Sequence, residues 1–145
     1  MALPKPVPGL VIRYSYLWHG EYRQGRDEGG KDRPCAIVAA IRVDQDGDAR
    51  ALVLPVTHSP PERLDLTIEI PAKVRQRLRL DDARSWVVLS EWNEFVWPGP
   101  DLRRLPGADE SSVAYGMLPP SLYAIIRDRF LALVRSRAAV RVRRT

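Results

Sequence analysis

Apolar and polar positions along the chain fall into short runs that predict mostly strands. Leu10 to Trp18 is rich in β-branched and aromatic residues and predicts a first strand. The polar stretch from His19 to Asp32 carries Gly20, Gly25, Gly29 and Gly30 and predicts a long loop, a kind that is often functional or mobile. Pro34 to Ile41 is nearly all apolar, which predicts a strand buried on both faces. Asp46-Gly47, inside the polar segment from Asp44 to Asp48, is a hairpin signal. Ala51 to Val56 is the expected return strand, which Pro55 should end or confine to an edge because proline donates no ladder hydrogen bond.

After the Ser59-Pro60-Pro61 loop, Leu64, Leu66, Ile68 and Ile70 alternate with Asp65, Thr67 and Glu69, the period of a half-buried strand. Pro71 is placed to open a short helix over Ala72 to Leu80. Trp86 to Leu89 predicts a fifth strand running into Ser90 to Trp97, and Pro98 to Pro119 reads as irregular. Pro119-Pro120-Ser121 begins a last helix whose Leu122, Ile125, Ile126, Phe130, Leu133 and Val134 share one face. Strands that follow one another directly exclude a doubly wound sheet. The expected fold is α+β: a small curled SH3-like β-barrel of about five to seven mostly antiparallel strands, one short inserted helix and a C-terminal amphipathic helix.

Composition narrows this further. The 145 residues suit a single domain over 1–145, with a Pro-rich N-terminal extension (1–8) and an Arg-rich tail (135–145). No apolar run approaches the roughly 20 residues of a membrane span, so no membrane partner is expected. The Pro-rich start does not read as a signal peptide, and the single cysteine, Cys35, fits a reducing cytoplasm. His19, His58 and Cys35 are too few for a structural zinc site, and no cofactor is expected. The net charge is +5, but Ser121 to Thr145 alone holds seven arginines and one aspartate, so the rest is close to neutral. Only Lys5, Lys31 and Lys73 are lysines; the other basic residues are arginine, the better fork for phosphate oxygens.

Lys31-Asp-Arg33-Pro34-Cys-Ala-Ile-Val38 resembles the loop-to-strand Arg-Pro motif of PemK/MazF-type toxins, and Leu54-Pro55-Val56-Thr57 resembles that family's later Pro-x-Thr strand end. The order of first strand, glycine-rich loop, Arg-Pro, Pro-x-Thr and terminal helix is also similar, over roughly Gly9 to Val134. The resemblance implies a metal-independent endoribonuclease, the toxin of a toxin–antitoxin pair. It further implies a homodimer that meets a cognate antitoxin protein and cleaves single-stranded RNA through the substrate's own 2′-hydroxyl. The products would be a 2′,3′-cyclic phosphate and a 5′-hydroxyl. Arg33 matches the family's catalytic arginine and Thr57 its catalytic hydroxyl. The loop before Arg33 and the segments Ile70 to Ala83 and Pro98 to Pro119 look enlarged relative to the family.

The chemistry needs charge stabilised on a phosphorane, a proton taken from the 2′-hydroxyl and a proton given to the leaving oxygen. Arg33 can fork onto phosphate oxygens and Thr57 can donate one hydrogen bond. Three groups are candidates for acid or base: His58 beside Thr57; His19, at a position where some family members carry a functional histidine; and Glu91, where many carry an aspartate. Arg23, Arg26 and Lys31 are candidate phosphate contacts, and Trp92 and Trp97 candidate base-stacking surfaces. The ordinary roles for the same residues are a salt bridge from Arg33 to Asp32 or Glu28, a turn-capping hydroxyl at Thr57, core packing for the tryptophans and Cys35, and a frayed, solvated helix end for the tail. A non-catalytic toxin of the same fold, such as a gyrase poison, or an inactive SH3-like interaction module is the competing function.

Overall fold

The structure, a computed structural model, describes residues 3–42, 49–107 and 112–144. It is α+β: the described residues form a largely antiparallel sheet of eight strands with three α-helices. The strands are β1 (Leu10–Tyr14), β2 (Arg33–Arg42), β3 (Ala49–Thr57), β4 (Thr67–Glu69), β5 (Trp86–Val88), β6 (Glu91–Val96), β7 (Ala114–Met117) and β8 (Val140–Arg143). The helices are α1 (His19–Arg23), α2 (Ala72–Arg77) and α3 (Pro120–Arg135). Hydrogen-bonded neighbours run β4-β5-β3-β2-β1-β7, while β6 pairs with β3 and, in parallel, with β8. No helix among the described residues is long and apolar enough to cross a membrane.

The apolar run of β2 is buried on both sides only from Cys35 to Val38, where the sheet curls; Ala39 and Ala40 are half-buried and Ile41 is exposed, so burial stops short of the predicted Ile41. Ala36 and Val38 join Val11, Leu54 and Val56 on one face, covered by Val74 and Leu78 near α2 and by Ile126 and Phe130 of α3. Cys35 and Ile37 join Ile12, Tyr14, Val53 and Phe95 on the other face. Tyr14 of β1 stacks on Phe95 of β6 at 4.5 Å between centroids, so two strands that share no ladder meet across the concave side. Between β6 and the segment after β1, side chains do what a ladder would. Asn93 Oδ1 accepts from the Leu17 N–H at 2.9 Å while its Nδ2 donates to the Leu17 carbonyl at 2.8 Å.

Several expectations need correction. The polar run after Trp18 opens with α1, since His19 to Arg23 can take a helical turn once Glu21 Oε1 accepts from the Trp18 N–H at 3.1 Å. The first strand ends at Tyr14, where the chain leaves β1 and crosses towards β6. Pro55 lies inside β3, opposite Cys35, and does not end it. On the far side of β3 the partner changes from β6, last paired at Val53, to β5, first paired at Val56, so the missing proline N–H falls in that gap. The alternation from Leu64 to Ile70 is a 3₁₀ turn over Leu64–Leu66 followed by β4; Leu64 is 75% exposed and Thr67 is buried, the reverse of the pattern. The stretch Pro98 to Pro119 is not wholly irregular, because it holds β7. The predicted turn at Asp46-Gly47 lies outside the described residues.

The largest correction is the tail. The chain turns after α3 and returns as β8, with Val142 wholly buried and Arg144 6% exposed. The turn places Arg137 at φ 61°, the left-handed position normally given to glycine. Charge density along the tail predicts solvation, but the alternation Val140, Val142 against Arg141, Arg143 has the strand period.

Candidate functional site

Arg33 opens β2, and the β2–β3 register, with Cys35 opposite Pro55, continued by two residues sets Arg33 opposite Thr57. The Arg33 guanidinium lies over the Trp18 ring at 4.9 Å, and its Nη1 reaches the Val56 carbonyl only at 3.5 Å. Its Nε is buried without a hydrogen-bond partner among the described residues. Stacking therefore holds the plane of the guanidinium, and among the described residues no carboxylate neutralises it. The expected salt bridge to Asp32 is absent, since Asp32 faces Arg103 at 3.4 Å.

Thr57 Oγ accepts from the Ser59 N–H at 3.1 Å, the turn-capping geometry of a loop hydroxyl. That bond uses a lone pair, so the Thr57 proton remains available to donate. His58, the next residue, falls on the opposite side of the strand end. Its Nδ1 sits 3.1 Å from the Arg84 carbonyl and its Nε2 3.4 Å from Asp81. The structure thus brings Arg33 and Thr57 together and sends His58 to the helix-covered face.

Glu91 and His19 form a second pair. Glu91 Oε1 accepts from the His19 N–H at 2.9 Å and from the Tyr16 hydroxyl at 3.0 Å. Burial raises the Glu91 pKa, and these two hydrogen bonds oppose the rise without cancelling it. A carboxyl that keeps its proton to higher pH is better placed to act as a general acid. Aromatic contacts link this pair to Arg33: Tyr16 meets Trp18 edge-on at 5.1 Å, and Trp18 carries the guanidinium.

The residues proposed to hold RNA are dispersed. Arg26 pairs with Glu21 at 2.8 Å, and Arg23 and Lys31 are exposed. Trp92 packs edge-on against Phe130 at 5.3 Å, between β6 and α3, and Trp97 lies 6.0 Å from Phe95. The loop before β2 is tied down: Gly29 packs where a Cβ would collide with the Tyr16 carbonyl, and Arg144 Nη2 donates to the Asp27 carbonyl at 3.4 Å. Arg26 and Asp27 share a recess of about 190 Å³ with Arg143 and Arg144, a basic grouping that links residues more than a hundred positions apart.

Sequence reasoning missed two members of this region. Trp18 was read as a strand residue, and nothing local indicates that it carries Arg33. Arg144 donates to the Ser15 carbonyl at 2.9 Å, to Asn93 Oδ1 at 3.0 Å and to Asp101 at 3.0 Å, fixing the segment that presents Trp18. Cys35 is fully buried, and burial raises its thiol pKa, which makes it a core residue and not a nucleophile. Among the described residues no group of three His, Cys, Asp or Glu side chains converges. Compared with models of protein families, with curated proteins and with solved structures, the chain matches none.

Proposed function

We propose that this protein is a metal-independent endoribonuclease, the toxin of a type II toxin–antitoxin pair, acting on single-stranded RNA. The observation that carries the reading is the uncompensated Arg33 guanidinium, stacked on Trp18 and set across the β2–β3 register from Thr57. The Arg33-Pro34 and Pro55-Val56-Thr57 motifs that resemble PemK/MazF-type toxins supply those two residues from separate strands. In the reaction proposed, Arg33 stabilises charge growing on the phosphorane oxygens and Thr57 donates to a non-bridging oxygen. Glu91, whose pKa burial raises, is favoured as the donor to the leaving 5′-oxygen, and His19, whose backbone N–H it holds, as the acceptor of the 2′-hydroxyl proton. The accompanying fold reading is an SH3-like barrel, supported by the Tyr14–Phe95 stack and by the side-chain bridges from Asn93 and Arg144. A cytoplasmic homodimer neutralised by an antitoxin protein completes the proposal.

Purified protein incubated with a defined single-stranded RNA in EDTA tests it. The expected products end in 5′-hydroxyl and 2′,3′-cyclic phosphate. Arg33→Ala should slow cleavage at least about a hundredfold, the scale for losing a preorganised charge-stabilising donor. Products with 5′-phosphates, or a folded Arg33→Ala protein that cleaves normally, overturn the reading. The Ser59-to-Thr57 hydrogen bond favours a second reading, a non-catalytic binding module in which Thr57 only caps its turn; that module binds RNA or protein without cleaving RNA.

A further inference from the structure

On the helix-covered face, directly across the sheet from Arg33 and Thr57 and lined by their neighbours Pro34, Val56 and His58, lies a cleft of about 280 Å³ between the ends of β1, β3 and β7 and the loop after α2. Arg13, His58, Arg79, Ser85 and Tyr115 line it, together with Asp32 and Asp81. Two polar groups here lack partners among the described residues: the buried Arg13 Nε, and Ser85 Oγ on a residue with no exposed surface. Such groups are costly when unsatisfied, and native proteins rarely leave them so. The two carboxylates already have side-chain partners, Asp32 facing Arg103 and Asp81 facing the His58 imidazole, each at 3.4 Å. Among the described residues, neither Arg13 nor Arg79 forms an ion pair. Tyr115 holds its proton, because burial raises its pKa, and so it remains a hydrogen-bond donor.

Arg79 adds an independent sign. The end of α2 is a Schellman turn, with the Leu80 N–H donating to the Arg75 carbonyl at 3.0 Å and the Arg79 N–H to the Gln76 carbonyl at 3.1 Å. Glycine belongs at its left-handed position, yet Arg79 holds it at φ 55°, a strained conformation for a residue with a Cβ. The strain sets a guanidinium on the rim of the cleft. Beyond Tyr115 the cleft adjoins a recess of about 490 Å³ that shares Arg79, Pro106 and Tyr115 with it and adds Leu78 and Leu105. Together the two fall within the roughly 300–1,000 Å³ of small-ligand sites, with donors at one end and, at the other, Leu78 and Leu105 flanked by Arg77.

We propose that this cleft binds a nucleoside monophosphate, its phosphate monoester taken by Arg13, Arg79, Ser85 and Tyr115 and its base seated beyond Tyr115 against Leu78 and Leu105. The site is separate from the Arg33–Thr57 pair and independent of the ribonuclease reading.

Calorimetric titration of the full chain with AMP tests the proposal, alongside adenosine, inorganic phosphate and a single-stranded oligonucleotide without terminal phosphates. AMP should saturate below about 1 mM and bind more tightly than adenosine, phosphate or the oligonucleotide. Arg13→Gln should weaken AMP at least about tenfold, the scale of a lost charged hydrogen bond. Arg79→Gly should raise the melting temperature while weakening AMP several-fold, since it relieves the turn and removes the guanidinium. Arg137→Gly, at the equivalent turn after α3, should raise the melting temperature and leave AMP affinity unchanged. Arg33→Ala should also leave it unchanged, whatever it does to RNA cleavage. No saturation by about 10 mM AMP, adenosine or the oligonucleotide binding as tightly as AMP, or wild-type affinity in both Arg13→Gln and Arg79→Gly overturns the proposal. Loss of AMP binding in a folded Arg33→Ala protein overturns it as well.

Discussion

Arg144, one residue from the C-terminus, should be among the most costly positions in the chain to truncate. Its guanidinium donates to the Ser15 carbonyl at 2.9 Å and to Asn93 Oδ1 and Asp101 at 3.0 Å, and lies 5.5 Å from the Tyr14 ring centroid. The Arg144 and Asp101 side chains are only 4% and 14% exposed. Arg144→Met keeps much of the packing volume but strands the Asp101 carboxylate and unpairs the Ser15 carbonyl. Breaking one side of a buried ion pair costs about 3–5 kcal/mol, a large share of the roughly 5–15 kcal/mol that holds a domain folded. The midpoint of urea unfolding, followed by tryptophan fluorescence, should fall accordingly. Arg143→Met is the comparison: that side chain is 60% exposed and 3.7 Å from Glu94, so its loss should stay within about 0.5 kcal/mol. In a double-mutant cycle with Asp101→Asn, Arg144→Met should be non-additive by more than about 1 kcal/mol. A cost below about 1 kcal/mol for Arg144→Met, or strict additivity with Asp101→Asn, would refute the reading of this contact as a buried clasp.

Glu91 gives a pH prediction. Its folded pKa is raised, so the folded state binds more protons than the unfolded one between the ordinary glutamate pKa and the raised value. Stability from this group is therefore greatest at acid pH and declines as pH climbs through that window. Glu91→Gln should remove this component, which unfolding midpoints of the two proteins measured from pH 4 to 8 will reveal as a pH-dependent difference. Thr57→Ala should slow RNA cleavage less than Arg33→Ala, because a neutral donor stabilises the phosphorane less than a charged fork; equal losses in end-labelled RNA assays would contradict that ranking. Sedimentation at micromolar concentration should give twice the 16.5 kDa chain, and a 16.5 kDa species would remove the homodimer.

Where local pattern and burial coincide, the sequence by itself determined the outcome. The near-continuous apolar run of β2 predicts a strand covered on both faces, which Cys35 to Val38 are, and Pro71 and Pro119-Pro120 begin α2 and α3 where proline is tolerated. The α+β class followed from those runs and their spacing, whereas the choice of Arg33 and Thr57 rested on the resemblance of their motifs to those of PemK/MazF-type toxins.

The folded structure decided what the local pattern left open, chiefly through contacts between distant segments. Pro55 stays inside β3 because the neighbouring strand changes there, a fact held by β5 and β6 and not by residues around it. Leu64 is exposed and Thr67 buried because the 3₁₀ turn breaks the two-residue period just before β4. The arginine-rich tail folds as β8 because β6 offers an open edge and Asp101, Ser15 and Asn93 offer acceptors to Arg144. Charge density favours water for an isolated segment; a paired, hydrogen-bonded arginine is the exception that only a partner far along the chain can create. The separation of His58 from Arg33 and Thr57 has the same origin. Adjacency in sequence sets neighbouring side chains of an extended strand on opposite faces, and the curl of the sheet decides what each face meets.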